Sequence, residues 1–217
     1  MESVSSMDAR DRDIMSQDFG DQPVRVDAGG ISWCHRPRLY WTTWQLLTGP
    51  GAAKLNDEEP VTWELTAQQS LDDVLEPGWT KVTPTKPFPT FTTARPSPVP
   101  GRKPAGLSFC TESEVARWQS DQHRFPPYQY QEVHCLANRR GELRVASVKE
   151  KELILGFPLN YTAPCAGKAD RHKPGYNDTR LTLLGNTWSV PVVGWLINQL
   201  LSTLGLVTAM SLSLIHI

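Results

Sequence analysis

The chain has 217 residues, with 22 Lys and Arg against 23 Asp and Glu, a formal net charge of −1, and 39% hydrophobic residues. That length and composition suit one ordinary domain, or a domain with a large insertion, and exclude a collagen, a long disordered chain and a coiled coil. A net charge near zero removes any whole-protein attraction to nucleic acid, so such binding must rest on local charge.

Met1 to Gly20 is polar and acidic, which fits neither a secretory signal nor an Arg-rich transit peptide. Asp8 to Phe19 is polar with spaced apolar positions and predicts a short helix. Pro23 to Ala28 alternates as a strand does, and Gly29-Gly30 ends it. Arg38 to Trp44 is the best strand signal, rich in aromatic and β-branched residues. Residues 47–80 are mixed, acidic around Asp57-Glu58-Glu59, with one short helix near Leu71 to Leu75.

Between Lys81 and Pro104 lie the prolines Pro84, Pro87, Pro89, Pro96, Pro98, Pro100 and Pro104. The same stretch carries Lys81, Lys86, Arg95, Arg102 and Lys103 and no Asp or Glu. Such a segment is neither helix nor central strand. It predicts an extended, basic surface loop, serving either as a solvated linker or as a strip facing phosphates.

Val148 to Leu155 predicts a helix closed by Gly156 and followed by Phe157-Pro158. A polar loop, Ala163 to Thr179, leads to Leu181 to Trp188. An apolar helix then runs from Pro191 to about Leu204, with Val192, Trp195, Leu196, Leu200 and Leu204 at helical spacing. No Lys, Arg, Asp or Glu follows Arg180, but Asn186, Pro191, Asn198 and Gln199 interrupt the stretch and no basic flank anchors it. No membrane span is expected. The last residues, 212–217, match the translation of a common transposase sequencing adapter, so the tail 207–217 is expected to carry no structural meaning.

Three separated segments resemble one family in the right order. Trp33-Cys34-His35-Arg36-Pro37-Arg38-Leu39-Tyr40-Trp41 resembles the arginine-bearing motif VIII of DNA cytosine-5 methyltransferases. Arg144 to Pro158, with Glu150 and the closing Gly-Phe-Pro, resembles motif IX. Leu184-Gly185-Asn186-Thr187-Trp188-Ser189-Val190-Pro191-Val192 resembles motif X, in the form found in the animal de novo class. Glu2-Ser3-Val4 occupies the place of the Glu-Asn-Val motif VI, at that class's spacing from Arg36. Ser3 departs from the family's Asn, which removes the hydrogen bonds of that amide.

The resemblance implies an α/β fold, a partial Rossmann-like S-adenosylmethionine-dependent methyltransferase sheet with an irregular target-recognition insertion. It divides the chain into strands of the catalytic domain at 1–46, the recognition region at 47–140 and a return to the catalytic domain at 141–206. It also implies the chemistry. A cytosine flipped from the duplex is attacked at C6 by a cysteine thiolate, so that C5 takes methyl from S-adenosylmethionine. By the same resemblance Glu2 faces N3 and the exocyclic amine, Arg38 faces O2, and Arg36 supports them or holds a phosphate. The turn Asn186, Thr187 and Trp188 contacts the cofactor. Thr92, Thr93 and Arg95, in Thr90-Phe91-Thr92-Thr93-Ala94-Arg95, contact double-stranded DNA, with Lys103, Arg117 and Arg124 as phosphate contacts. No metal is implied.

Four cysteines (Cys34, Cys110, Cys135, Cys165) show no C-x-x-C pairing and no short regular spacing, which argues against a structural zinc site or a small disulfide scaffold and makes a reducing compartment the expectation. The family's nucleophile lies in a Pro-Cys motif before motif VI. Pro164-Cys165 lies between motifs IX and X and has no activating neighbour, so it is not expected to act. The expectation is therefore the C-terminal part of such an enzyme, inactive without an N-terminal half that supplies the thiol and the glycine-rich cofactor turn. The substrate implies a nuclear location. The alternative is a non-catalytic DNA-binding or regulatory module derived from such an enzyme.

Overall fold

The computed structural model describes residues 1–44, 46, 52–53, 61–63, 70–95, 100–101, 103–166 and 176–207. The acidic Asp57-Glu58-Glu59, Pro96, Pro98, Arg102 and the adapter-like 212–217 lie outside the described residues. The chain is mixed α/β and divides into two compact units, one formed by Met1–Gln69 with Ser189–Ile217 and the other by Ser70–Trp188.

The first unit is built on a five-stranded sheet in the order β1-β3-β2-β5-β4. Its strands are β1 (Glu2–Val4), β2 (Val24–Asp27), β3 (Pro37–Tyr40), β4 (Ala52–Ala53) and β5 (Val61–Trp63). β3 pairs antiparallel with both β1 and β2, and β2 pairs parallel with β5. The strand expected over Arg38 to Trp44 starts at Pro37 and ends at Tyr40. Beyond it the Trp41 indole donates to the Ser16 hydroxyl of α1 (Ala9–Phe19) at 3.1 Å. α1 starts because the Asp8 carboxylate accepts from the Arg10 N–H, and it stops at Gly20, whose φ of 70° returns its N–H to the last turn. Val26 and Tyr40 of the sheet, with Ala28 and Ile31 of the turn after β2, pack against Val192, Trp195 and Leu196 of α6 (Val190–Thr203). Pro191 sits in the first turn of α6, where its missing N–H leaves no orphan.

The second unit contains a three-stranded antiparallel sheet, β6 (Trp79–Lys81), β7 (Leu136–Asn138) and β8 (Leu143–Arg144), in that order. Around it lie α2 (Leu71–Val74), α3 (Glu112–Ser120), α4 (Val148–Ile154) and α5 (Tyr176–Asn186). α3 and α4 both begin with a reciprocal cap, Thr111 with Glu114 and Ser147 with Glu150, each satisfying two orphan N–H groups. α4 ends before Gly156, which adopts φ 84°.

The stretch after Lys81 corrects its sequence reading. It is irregular as expected, but it is not a surface loop throughout. Phe88 and Phe91 are buried with ring centroids 6.0 Å apart, and Lys81 belongs to β6 and is itself buried. The Lys81 ammonium donates to the Thr83 and Val133 carbonyls and lies 5.0 Å from the Phe88 ring centroid. Prolines space the chain while the aromatics anchor it, a distinction that proline content alone does not carry. Among the described residues no helix is long and apolar enough to cross a membrane.

Candidate functional site

In the first unit the pairing of β1 with β3 places Glu2 opposite Tyr40 and Val4 opposite Arg38. Side chains alternate along a strand, so Arg38 and Tyr40 share one face of β3 with Glu2 on β1. Arg38 Nε lies 2.9 Å from Glu2 Oε1, and both side chains keep part of their surface in solvent. Arg38 Nη1 also donates to the Pro37 carbonyl. Ser3 is paired with Leu39 and therefore points to the opposite face.

Arg36 stands two residues before Arg38 and is buried, 3% exposed. Burial, and then the like charge of Arg38, lowers its pKa, while Cys34, Glu2 and Tyr40 act in the opposite direction. A guanidinium remains protonated through such a shift. Burial first, then the Glu2 carboxylate, raises the Tyr40 phenol well above its ordinary value, so it stays a neutral hydroxyl at physiological pH. The result is a carboxylate, two guanidiniums and a phenol within electrostatic reach of one another. Tyr40 was absent from the sequence candidates, although its two-residue spacing from Arg38 was a signal for it.

Asp27 fixes the approach to this cluster. Its Oδ1 accepts from the Gly29 N–H at 3.0 Å and the Arg36 N–H at 2.7 Å, and its Oδ2 meets His35 Nδ1 at 2.9 Å. One carboxylate thus pins the turn between β2 and β3 that carries Arg36. A Cβ on Gly29 would sit 2.7 Å from His35 Nδ1, so a larger residue there displaces that ring. The Asp-x-Gly pattern was the sequence signal for this hub.

The second unit holds the expected recognition residues. Thr92 is half-buried, and its hydroxyl accepts from the amide of Gln129, which is itself buried and also reaches the Thr90 carbonyl. Thr92 and Thr93 pass directly beneath Gly185 of α5. Arg95 lies half exposed and pairs with Asp178 at 2.8 Å. Lys103 is exposed. Arg124 forms ion pairs with Asp178 and Asp121, and Arg117 donates to the Tyr130 carbonyl.

A cleft of about 750 Å3 opens in this unit among Arg117, Arg124, Arg144, Lys149 and Arg180. Its arginines are largely neutralised from within. Arg144 pairs with Glu150 and Glu76 and stacks on the Trp79 ring, and Arg180 pairs with the fully buried Glu152. Burial pushes Glu150 and Glu152 upward, but their hydrogen bonds outweigh it. Arg144, Glu76 and Ser147 hold Glu150 low, and Thr162 and Arg180 hold Glu152 low.

Of the expected cofactor residues, Asn186 closes α5 and is exposed, Thr187 is half-buried, and Trp188 is 56% exposed. Trp188 presents an open indole rather than a core anchor. Among the thiols, burial raises Cys110 and pushes Cys135 up to about 11, Cys34 is buried, and Cys165 is exposed in a short 3-10 turn. Among the described residues no group of three or more His, Cys, Asp and Glu is arranged to hold a metal. No family model matches the chain.

Proposed function

We propose that the chain is the C-terminal part of a DNA cytosine-5 methyltransferase with a Rossmann-like catalytic sheet. The observation that carries this reading is the 2.9 Å contact between Glu2 and Arg38, two residues that the resemblance to motifs VI and VIII requires side by side. Adjacent strands hold them on one face, with Arg36 and Tyr40 beside them.

A cytosine ring exposes an O2 acceptor, an N3 and an exocyclic amine along one edge. The guanidinium of Arg38 donates to O2 and draws charge from the ring, while the Glu2 carboxyl engages N3 and the amine. The ion pair preorganises both groups before a base arrives, and the buried Arg36 raises the positive potential where negative charge develops on the ring. The thiolate that attacks C6 comes, by the family's motif order, from sequence preceding Glu2. S-adenosylmethionine supplies the methyl group when bound. Asn186, Thr187 and Trp188 offer an amide, a hydroxyl and an open aromatic face, a donor set that suits one wall of a purine nucleoside site. Thr93, Arg95 and Lys103 face double-stranded DNA.

The test supplies the complementary polypeptide, carrying the Pro-Cys and glycine-rich motifs of this family, to the full chain. Incorporation of labelled methyl into duplex DNA is then measured. The chain alone incorporates none, the mixture does, and Arg38→Ala or Glu2→Gln lowers the rate by about 10²-fold or more, the effect of removing one charge-stabilising donor. Incorporation by the chain alone, or by the mixture regardless of both substitutions, refutes the reading. DNA binding without methyl transfer in the mixture would favour the non-catalytic module instead, to which the serine at position 3 also points.

A further inference from the structure

Four described non-glycine residues have positive φ: Arg95 at 50°, Gln122 at 53°, His123 at 57° and Asn160 at 64°. Each such residue is strained and persists only where its surroundings over-determine it. Three of the four meet in one place. The Arg95 N–H donates to the Arg124 carbonyl at 2.6 Å, joining its segment to the turn that carries Gln122 and His123. Arg95 Nε reaches Asp178 Oδ2 at 2.8 Å, and its Nη2 reaches Gln122 Oε1 at 3.3 Å.

Asp178 is well placed to act as a fixed post. It lies in the first turn of α5, its side chain is 18% exposed, and its other oxygen holds Arg124 Nε at 3.1 Å. Arg124 in turn reaches Asp121, whose second oxygen accepts from the buried Tyr130 hydroxyl at 2.7 Å. The chain of contacts therefore runs from a half-exposed guanidinium down to the core. It occupies the Nε edge of Arg95 and one Nη2 proton, and leaves Nη1 and the outer end of the fork with no partner among the described residues. That outer end is the part of an arginine that matches two acceptors on a guanine edge.

We propose that Asp178, seconded by Gln122, is a positioning residue that fixes the Arg95 fork for guanine readout, so that base discrimination depends on a side chain that touches no DNA. The inference rests on the reading of Arg95 as a DNA contact. A flexible surface arginine pays side-chain entropy on binding and grips any phosphate, whereas a clamped one presents a single direction.

The experiment uses the full chain and fluorescence anisotropy on two duplexes, one with guanine beside the target cytosine and one with 7-deazaguanine, which lacks the N7 acceptor. The readout is the ratio of the two affinities. The wild type prefers guanine at least about fivefold, the low end of a bidentate contact. Arg95→Ala and Asp178→Ala both bring the ratio to near one, while Asp178→Asn, which keeps an acceptor for Nε, retains part of it. Should Asp178→Ala fail to fold, judged by its thermal transition, Gln122→Ala removes the second contact from a surface turn and lowers the ratio partway. A ratio that Arg95→Ala abolishes but the Asp178 and Gln122 variants leave at the wild-type value overturns the positioning role alone. Equal affinities for both duplexes in the wild type overturn the DNA reading of Arg95, and the positioning role with it.

Discussion

Replacing Gly185 with alanine tests how the second unit is assembled. Gly185 lies in the last turn of α5, and a Cβ there would come within 2.6 Å of the Thr92 carbonyl carbon and 2.8 Å of Thr93 Cα. Helix propensity alone favours alanine by up to about 1 kcal/mol, and by less in a terminal turn. Overpacking opposes it, typically by about 1–3 kcal/mol. The upper part of that range applies, because the atoms met are backbone rather than the tip of a flexible side chain. The clash wins, and we expect a net loss of about 2 kcal/mol. At roughly 2–4 °C per kcal/mol for a chain of this size, Tm falls by about 4–8 °C. Thermal and urea unfolding followed by circular dichroism measure the loss, and hydrogen exchange should show faster exchange across Thr92 to Arg95. An unchanged or higher Tm would refute the close passage of that segment beneath α5.

Two further outcomes follow from buried charge. Glu152→Ala strips acceptors from the Asn160 and Thr162 N–H groups and from the 4%-exposed Arg180, and should cost about 3–5 kcal/mol in urea titrations. A cycle with Arg180→Met should return a coupling of at least about 1 kcal/mol, and a loss below that for the single variant would contradict the buried pair. Burial lowers Lys81 from 10.5 to about 8, so between those pH values the unfolded chain binds more protons and stability rises with pH. Relative to Lys81→Met, wild-type stability should climb from about pH 8 to 10.5 and then level off, by up to roughly 3 kcal/mol. A flat difference curve would show that the ammonium is solvated.

Local structure was legible in the sequence wherever one short pattern decides it. Asp8 and Gly20 bracket α1, and the Ser147–Glu150 box and Gly156 bracket α4. Pro191 opens α6, whose Val192, Trp195 and Leu196 follow the predicted stripe into the core, while Leu204 at its far end is exposed. The neighbourhood of Glu2 and Arg38 was expected only through the resemblance to motifs VI and VIII, since no pattern in the residues marks Glu2–Val4 as a strand or its pairing with β3. Gln129 and Asp178 were not foreseeable as site residues. Each holds segments distant in sequence, Gln129 through Thr90 and Thr92 and Asp178 through Arg95 and Arg124, and no periodicity marks such partners.

The basic stretch shows why charge counted along a sequence misjudges charge presented to a ligand. Of its five cations, Arg102 lies outside the described residues. Lys81 is consumed by two carbonyls in the interior, and Arg95 is held by an aspartate from another helix. Lys86 and Lys103 are exposed. Phosphate attraction scales with the number of charges that reach the backbone, so this segment contributes less of it than its composition suggests. Over its described part, the buried aromatics Phe88 and Phe91, the Gln129 amide and the close passage beneath Gly185 hold its path. On the proposed reading, a held and modestly charged segment serves less to grip any duplex than to tell one base edge from another, because direct readout depends on where a donor points rather than on how many there are.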